Sequence, residues 1–408
     1  MNIRAASFLI AAASMAPILR AQYDGDNVRY RNIALEDLPA ALAKTPDAMV
    51  IDVRTPGEYS DTSHWASLNI GHLKGARNID HREVAKRLNE LPDRKQPIYL
   101  YCSHSQRSRR VSNMLVDSGY TNVINVDGGM SRYWAEQHRL PMMKDLIETS
   151  TGYDIINANR LCAMRASRPV FLLDVRADSL FTGKQPEWVS AFGAMKGGTR
   201  IPIERLKEAE AQLPHDRPVV VVGLYTADAA KAASALVAQG FKEVHILFNG
   251  LEGMIDVSDA NCPCKKDIWS SGAAYAAIGL DRLDTLALLS GKAALLDMRS
   301  KEEYDGTAKE TWMNVGRFRT ARYIAPGEVR EQIASTGLSK NTPLVLVGRG
   351  LDEELFDAAR ALTDLGYTKV AILTSGVWGI QWEAHNIPGH ASWDAWVTKY
   401  PTAVPSNP

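Results

Sequence analysis

Short apolar runs alternate with polar, helix-patterned stretches along the whole chain. Three of these runs end in the same Asp-x-Arg sequence, at Met49–Arg54, Phe171–Arg176 and Leu295–Arg299. Their aspartates are 122 and 123 residues apart. Self-similarity at a fixed spacing is typical of tandem repeats. The pattern therefore predicts three copies of one structural unit.

Each predicted unit contains the same series of elements. A glycine begins a related segment after the first strand, and a helix-patterned run, a Gly-aromatic turn, a third strand and a Gly-rich corner follow the second strand. Short apolar strands that alternate with helices predict a mostly parallel sheet with helices on both faces, so the fold class is α/β. The glycines are Gly71, Gly193 and Gly316, and the second strands are Ile98–Tyr101, Pro218–Val222 and Leu344–Val347.

The N-terminus has the pattern of a secretory signal. Arg4 precedes an almost continuous apolar run, Ala5–Ala16, and Ala21 offers a small residue for cleavage before a polar segment. No later run reaches about 18 apolar residues, so we expect a mature chain outside the membrane, in the periplasm or secreted. The predicted boundaries are 1–21 for the signal, then 22–145, 146–265 and 266–408 for three domains.

Charge and composition narrow the class of partner. The formal net charge is zero, and 45% of the residues are hydrophobic. A balanced charge without long runs of one sign gives no reason to expect a nucleic-acid partner. The chain is predicted to be globular and to act on small molecules or proteins.

The candidate chemistry lies where the second strand of the first unit ends. Cys102 follows that strand directly, Arg107 comes five residues later, and a helix is predicted to begin near Ser108. Open α/β sheets bind ligands beyond the carboxyl ends of their strands. A helix N-terminus and an arginine both favour the thiolate, which is the nucleophilic form of cysteine. Cys102 is therefore the candidate nucleophile.

The other two units differ at these positions. Gly223 and Gly348 stand where the first unit has Cys102, so neither unit offers a thiolate there. A carboxylate in place of the arginine repels an anion. We expect these units to be structural or to present binding surfaces. The residues at the position of Arg107 are Asp228 in the second unit and Glu353, or Asp352, in the third.

Several motifs of the first unit resemble the rhodanese, or thiosulfate sulfurtransferase, family. They are Asp52–Arg54, Gly71–Ile79, Cys102–Ser108, and Gly128–Met130 with Trp134. The resemblance extends over the mature chain three times. The four residues between Cys102 and the arginine match the rhodanese loop, whereas the related cell-cycle phosphatases use a loop one residue longer.

The resemblance implies a sulfurtransferase that stores a sulfane sulfur as a persulfide on Cys102. The donor would be thiosulfate, a persulfide or a polysulfide, the acceptor cyanide, a small thiol or a protein cysteine, and no metal or organic cofactor is implied. Asp52 and Arg54 would support the loop, or would only complete hydrogen bonds at the strand end. The residues implied in substrate binding are Ser103, His104, Ser105, Gln106, Arg107 and Ser108.

Two loop residues depart from the family pattern. Many members carry Arg or Lys where this chain has Ser103, which weakens the expectation of a dianionic donor and favours a neutral persulfide or polysulfide. Ser105 stands where many members have glycine, so a strained backbone is expected there. His104 either supplies part of the missing charge when protonated or is an exposed loop residue without a catalytic part.

The other cysteines allow several interpretations. Cys162 lies on a helical pattern and is interpreted as a core filler. Cys262 and Cys264 form a redox pair, half of a metal site, or one disulfide partner for Cys162 with a second thiol left over. Besides the sulfurtransferase, the sequence is compatible with a non-catalytic rhodanese-like scaffold in the periplasm and with a redox protein that works through Cys262 and Cys264.

Overall fold

The structure is a computed structural model that describes residues 29–181, 187–257, 262–279, 293–310, 313–386 and 391–399. The predicted signal sequence, residues 1–21, lies outside these ranges and stays a prediction. Within the described ranges, no helix is both long and apolar enough to cross a membrane.

The first unit is built on a five-stranded parallel sheet. Its helices are α1 Leu38–Lys44, α2 Pro56–Tyr59, α3 Gln106–Asp117 and α4 Gly129–Glu136. Its strands are β1 Arg31–Ala34, β2 Met49–Asp52, β3 His72–Leu73, β4 Arg77–Asn78, β5 Ile98–Tyr101, β6 Val123–Asp127 and β7 Ile147–Glu148. The sheet order is β1-β6-β5-β2-β4, and β3 and β7 form a separate antiparallel ribbon.

The second unit repeats this arrangement. Its helices are α5 Ala158–Ser167, α6 Glu187–Phe192, α7 Thr226–Ala238, α8 Gly250–Asp256 and α9 Lys265–Ile268. Its strands are β8 Asp154–Ile156, β9 Phe171–Asp174, β10 Ala194–Met195, β11 Thr199–Arg200, β12 Val219–Val222, β13 Val244–Leu247 and β14 Trp269–Ser270. The parallel sheet has the order β11-β9-β12-β13-β8, and β10 pairs with β14.

The third unit has the same topology. Its helices are α10 Lys301–Asp305, α11 Val329–Gln332, α12 Glu353–Asp364 and α13 Gly376–Asn386. Its strands are β15 Ala276–Ile278, β16 Ala294–Asp297, β17 Arg317–Phe318, β18 Arg322–Tyr323, β19 Leu344–Val347, β20 Val370–Leu373 and β21 Val397–Thr398. The sheet order is β15-β20-β19-β16-β18, with a ribbon of β17 and β21. Three parallel sheets with flanking helices confirm the predicted α/β class, while the predicted domain boundaries stay predictions.

The central strand of each sheet is an unbroken apolar run. Every residue of β5, β12 and β19 is buried, because each strand has a neighbour on both sides. Parallel strands buried on both faces have continuous apolar sequences, as these do. The ends of these three strands therefore lie at equivalent places in the three sheets.

The repeated glycine after the first strand is required by a close approach of the ribbon. Gly71 has φ of +70°, and a Cβ there would lie 2.3 Å from the Glu148 carbonyl oxygen. Gly193 and Gly316 also have positive φ, and a Cβ would lie 2.0 and 2.4 Å from the carbonyl oxygens of their own returning strands. Only glycine fits at such a contact. Each ribbon thus accounts for one glycine of the sequence repeat.

The second and third units also contact each other through side chains. The rings of Phe192 and Phe356 are 6.0 Å apart, and Glu187 of α6 forms an ion pair of 3.0 Å with Arg360 of α12. An aromatic pair with a neighbouring ion pair joins these two helices. The hydroxyl of Tyr275 donates a second hydrogen bond, of 3.0 Å, to Glu187.

The cysteines of the second unit differ from the preferred sequence interpretation. Cys162 of α5 forms a disulfide with Cys264, which directly precedes α9. The interpretation of Cys162 as a core filler was therefore wrong, because its sulfur reaches the segment after the second sheet. Of the alternatives left open for the Cys-Pro-Cys segment, the structure shows a partner for Cys162. Cys262 lies outside the disulfide and is buried.

Candidate active site

Cys102 lies at the end of β5, below the loop that leads into α3. Its residue is only 1% exposed, and its carbonyl oxygen accepts a hydrogen bond of 3.1 Å from the Met130 N–H. Gly129 has φ of +58°, and a Cβ there would lie 2.2 Å from the same carbonyl oxygen. The glycine corner after β6 therefore packs directly on the backbone of Cys102 and fixes the start of the loop.

The backbone donors of the loop are available for an anion. Across the described ranges, no group accepts a hydrogen bond from the N–H groups of residues 103–107. Helix α3 begins at Gln106, so several of these donors belong to its N-terminal turn. Unpaired N–H groups at a helix N-terminus, together with the helix dipole, attract negative charge. The loop can therefore bind an anion next to Cys102.

A hydroxyl also lies close to the cysteine sulfur. Ser108 is fully buried, and its Oγ is 3.7 Å from Cys102 Sγ and 3.0 Å from the Ser105 carbonyl oxygen. The hydroxyl has one hydrogen, so it donates to only one of these acceptors at a time. Negative charge on the sulfur would favour donation to Cys102, because hydrogen bonds to charged acceptors are stronger.

Arg107 is held by a carboxylate that the sequence interpretation did not assign to the site. Its guanidinium donates to both carboxylate oxygens of Glu58, at 2.6 and 2.7 Å, and to Ser103 Oγ at 2.9 Å. Burial acts to raise the pKa of Glu58, but hydrogen bonds from Arg107 and Thr55 outweigh it and the pKa is lowered. Glu58 is therefore ionised at neutral pH and offsets much of the positive charge of Arg107.

A capping box on α2 positions Glu58. The N–H of Glu58 donates to Thr55 Oγ at 3.3 Å, while Glu58 Oε2 accepts from the Thr55 N–H at 3.1 Å. The Thr-x-x-Glu pattern is a recognisable signal for this motif. It recurs as Ser300-x-x-Glu303 in the third unit. This pattern was the signal that could have identified Glu58.

The expected strain at Ser105 is confirmed by the backbone. Ser105 has φ of +71° and ψ of −22°, in the left-handed region that non-glycine residues seldom occupy. Its Oγ accepts a hydrogen bond of 2.6 Å from the Gly128 N–H, inside the protein. The serine therefore joins the loop to the glycine corner, a contact that glycine itself does not offer.

Two substitutions at Ser105 should separate the strain from the hydrogen bond. Ser105→Ala loses the acceptor for the buried Gly128 N–H and keeps the left-handed backbone, so we expect unfolding to become easier by about 1–3 kcal/mol. Ser105→Gly loses the same acceptor but relieves about 1 kcal/mol of backbone strain. Chemical denaturation should therefore rank the stabilities as parent, then Gly, then Ala. Equal stabilities of the two variants would contradict the assigned strain.

His104 and Gln106 lie on the exposed side of the loop. The Nδ1 of His104 is 2.9 Å from Ser103 Oγ. Loss of solvation beside the loop, and then the charge of Arg107, lower the pKa of His104 below its ordinary value. This direction favours the neutral imidazole at neutral pH, which argues against His104 as the source of the charge that the loop lacks. Gln106 is the first residue of α3 and is exposed.

The Asp52–Arg54 pair lies at the end of β2, beside the strand that carries Cys102. Both side chains are fully buried, with 2.6 Å between Arg54 Nη2 and Asp52 Oδ2. The same guanidinium donates to the Gly71 carbonyl oxygen at 2.6 Å. Equivalent pairs form at Asp174–Arg176 and Asp297–Arg299. A pair that all three units share favours the interpretation of strand-end hydrogen bonding.

Comparison with known proteins agrees with this geometry. The model of the rhodanese-like domain matches residues 35–136, which include Cys102 and Arg107. The chain is 33% identical over 125 residues to the uncharacterized protein YqhL of Bacillus subtilis, covering 31% of this chain and 89% of that protein. The chain belongs to the rhodanese-like family.

Two sulfurtransferases are further relatives of this rhodanese-like chain. The sulfurtransferase of Allochromatium vinosum is 30% identical over 108 residues, which are 26% of this chain and 90% of that protein. The thiosulfate sulfurtransferase GlpE of Pseudomonas putida is 31% identical over 94 residues, which are 23% of this chain and 76% of that protein. The family connection therefore points to sulfur transfer in general.

The second unit of the rhodanese-like chain has a different loop after its central strand. A Cβ at Gly223 would lie 2.7 Å from the Tyr225 carbonyl oxygen, so the backbone leaves no room for a cysteine. Thr226 Oγ accepts a hydrogen bond of 2.9 Å from the Asn249 N–H, as Ser105 does from Gly128 in the first unit. The second unit therefore keeps the hydrogen bond that supports the loop, but its backbone occupies the space that the cysteine side chain fills in the first unit.

The third unit fills the equivalent place with a carboxylate. Asp352 Oδ2 accepts a hydrogen bond of 2.9 Å from the Arg349 N–H and lies 2.8 Å from a Cβ built at Gly348. Arg349 also donates to Glu303, at 2.9 and 3.1 Å. The loop therefore holds an internal anion. An adjoining cavity of about 600 Å³ is lined by further carboxylates, those of Glu353, Glu354 and Asp357.

Asp127 is a second buried carboxylate near the rhodanese loop that sequence reasoning missed. It ends β6 and accepts hydrogen bonds from Asn125 Nδ2 at 2.6 Å and Arg109 Nε at 3.3 Å. Burial raises the pKa of Asp127 to about 6, although Arg109 opposes this shift. The pair joins α3 to the strand that precedes the glycine corner.

The raised pKa predicts a pH-dependent stability difference between the parent chain and Asp127→Asn. The carboxyl group of Asp127 binds a proton more tightly in the folded state than in the unfolded state. Protonation of Asp127 therefore stabilises the fold fully below pH 3.8, and this contribution is lost as the pH rises through about 6. From pH 4 to pH 7 the free energy of unfolding of the parent should fall by about 2.4 kcal/mol relative to the variant. Denaturant titrations across this range measure the difference, and a constant difference would contradict the assignment.

Proposed function

We propose that the chain is a sulfurtransferase that carries a sulfane sulfur as a persulfide on Cys102. The donor is thiosulfate, a persulfide or a polysulfide, and the acceptor is cyanide, a small thiol or a protein cysteine. One observation carries the proposal: Cys102 Sγ lies 3.7 Å from a buried hydroxyl, below a loop whose backbone N–H groups are not used elsewhere in the described structure. Membership of the rhodanese-like family supports it.

The reaction needs two nucleophilic displacements at sulfur. The thiolate of Cys102 attacks the outer sulfur of the donor, and the donor's S–S bond breaks with its electron pair on the leaving group, which is sulfite when the donor is thiosulfate. The acceptor then attacks the outer sulfur of the persulfide, and the Cys102 thiolate leaves. This is a covalent cycle of the ping-pong type. No electrons are gained or lost overall, so no cofactor is required.

The loop residues have distinct parts in this proposal. The N–H groups of residues 103–107 and the Ser108 hydroxyl hold the negative charge of the thiolate and then of the persulfide. Arg107 is bound to Glu58, so it orients Ser103 and the loop more than it adds net positive charge. This arrangement favours a neutral or monoanionic persulfide or polysulfide over a dianionic donor.

The second and third units have no part in the chemical step under this proposal. They lack a cysteine at the end of their central strands, where a carbonyl oxygen and a carboxylate stand instead. They serve as structural units or binding surfaces. The signal-like N-terminus supports a location in the periplasm or outside the cell, where the donor and acceptor would be exported or extracellular compounds.

A panel of donors tests the proposal. The full chain is incubated separately with thiosulfate, glutathione persulfide and inorganic polysulfide, and peptide mass spectrometry locates any added sulfur. We expect one added sulfur atom on the peptide that contains Cys102, with faster loading by glutathione persulfide than by the two dianionic donors, thiosulfate and inorganic polysulfide. Sulfur release is then measured with cyanide and with a small thiol. Absence of loading by every donor would favour the scaffold alternative, and loading at another cysteine would refute the assignment of Cys102.

A further inference from the structure

Three cysteine sulfurs converge in the second unit. Those of Cys162, Cys262 and Cys264 all lie within 4.8 Å of one another. Cys162 and Cys264 form the disulfide, and Cys262 Sγ is 3.3 Å from Cys162 Sγ. A disulfide uses two sulfurs, so it does not explain why a third is brought into contact. Cys262 is fully buried, which places this third sulfur in the interior.

We propose that reduction of the Cys162–Cys264 disulfide creates a site for one soft monovalent metal ion of the Cu(I) class. Three thiolates that each lie about 2.3 Å from a central ion are about 4 Å apart. The sulfurs of Cys162 and Cys262 are 3.3 Å apart, and no two of the three sulfurs are more than 4.8 Å apart. The spacing that the ion needs is therefore close to the spacing that the protein already provides. Only the disulfide pair has to separate, and breaking its bond permits that.

The ligand set favours a thiophilic ion with a low coordination number. Within the described ranges, no histidine or carboxylate joins the three sulfurs to form a larger ligand cluster. Structural zinc sites are almost always four-coordinate, whereas thiolate sulfur is the ligand type that selects Cu(I). A site of three sulfurs therefore fits Cu(I) better than zinc, and it fits hard oxygen-seeking ions such as Mg²⁺ least.

The surroundings restrict access of water and hold the ligands in place. Cys262 belongs to the apolar core of the second and third units, and Cys162 and Cys264 pack against that core. The Cys262 carbonyl oxygen accepts from the Lys265 N–H at 2.9 Å, and the Cys264 carbonyl oxygen accepts from the Ile268 N–H at 3.1 Å. Hydrogen bonds around the ligating residues orient them toward a metal.

Loading of the site with Cu(I) takes two steps, reduction of the disulfide and binding of the ion. Two equivalents of a thiol, or one of a dithiol or phosphine reductant, break the S–S bond and leave thiols on Cys162 and Cys264, while the reductant is oxidised. Binding of Cu(I) then replaces three S–H bonds with three Cu–S bonds and releases three protons. The oxidised protein offers only one thiolate, so the redox state of the disulfide controls whether the ion binds.

Metal stoichiometry in the Cys102→Ser background tests the inference without interference from the active-site thiol. The full chain is reduced anaerobically with a phosphine, desalted, and equilibrated with Cu(I) that is buffered by a competing chelator. We expect about one Cu(I) per chain after reduction and about tenfold less in the oxidised protein. The added Cys262→Ser substitution keeps the disulfide partners and should weaken Cu(I) binding by at least about tenfold.

Two results would overturn the inference. One is that the reduced protein takes no Cu(I) from the chelator although mass spectrometry shows all three thiols. The other is that the Cys262→Ser variant binds Cu(I) as tightly as its parent. Thermal unfolding of the oxidised Cys262→Ser variant verifies that the fold is kept, since its disulfide can still form. Neither result depends on whether Cys102 carries sulfur in the unmodified chain. Failure of this inference can therefore be distinguished from failure of the proposed sulfurtransferase function.

Discussion

Cys102→Ser is expected to remove sulfur loading and to lower the rate of sulfur transfer by at least about 10³-fold. A serine hydroxyl is a poor nucleophile at neutral pH, and oxygen does not form the persulfide on which the second step depends. The substitution exchanges one atom at a residue that is 1% exposed, so packing around it changes little. Donor consumption and mass spectrometry of the loaded protein measure both effects.

Cys262→Ser is the matched control for this prediction. Cys262 is the other cysteine outside the disulfide and is equally buried, but it lies in the second unit. The control should load sulfur on Cys102 and turn over at the parental rate. If Cys102→Ser retained a tenth or more of the parental rate while its fold was intact, Cys102 would not be the sulfur carrier.

Glu58→Gln should have the second largest effect, since it removes the charge that holds Arg107. The neutral amide cannot replace the bidentate ion pair that Glu58 forms with Arg107 at 2.6 and 2.7 Å. We expect Arg107 to move and its hydrogen bond to Ser103 Oγ to be lost as well. A displaced loop lowers the rate of sulfur transfer by about 10- to 100-fold. Glu58 is buried while Arg107 is partly exposed, so the loss of stability should be about 1–3 kcal/mol.

Glu303→Gln in the third unit separates the two effects of this substitution. Glu303 has the same capping box and pairs with Arg349 in the same bidentate manner. The control should lose stability by a similar amount and keep the parental rate of sulfur transfer, because its unit has no cysteine at the loop. If both variants lost activity in proportion to stability, Glu58 would have only a structural part.

The repeat and the fold class followed from the sequence because both depend on local patterns. Apolar runs that end in Asp-x-Arg, spaced by about 120 residues, were sufficient to predict three parallel sheets. The position of Cys102 at a strand end was predictable for the same reason. The sequence repeat showed that a glycine recurs at the position of Gly71. The reason for it, the close approach of the ribbon to the backbone, was seen only in the structure.

The missed features depend on contacts between residues distant in the chain. Glu58 is 49 positions from Arg107, and Cys162 is 102 positions from Cys264. Asp127 reaches Arg109 across the sheet end, where burial rather than sequence spacing sets its pKa. Patterns of polarity along the chain report local structure, while such pairings are decided by how the strands are ordered in the sheet.

The ribbon of β3 and β7 has a consequence for synthesis on the ribosome. Leu73 and Ile147 pair across it, so this ribbon forms only when residues 147 and 148 have emerged. Chains grow from the N-terminus, and units that complete their own contacts can fold before the rest is translated. The unit that contains Cys102 can thus bury this thiol in its own core before the three cysteines of the second unit have all been made.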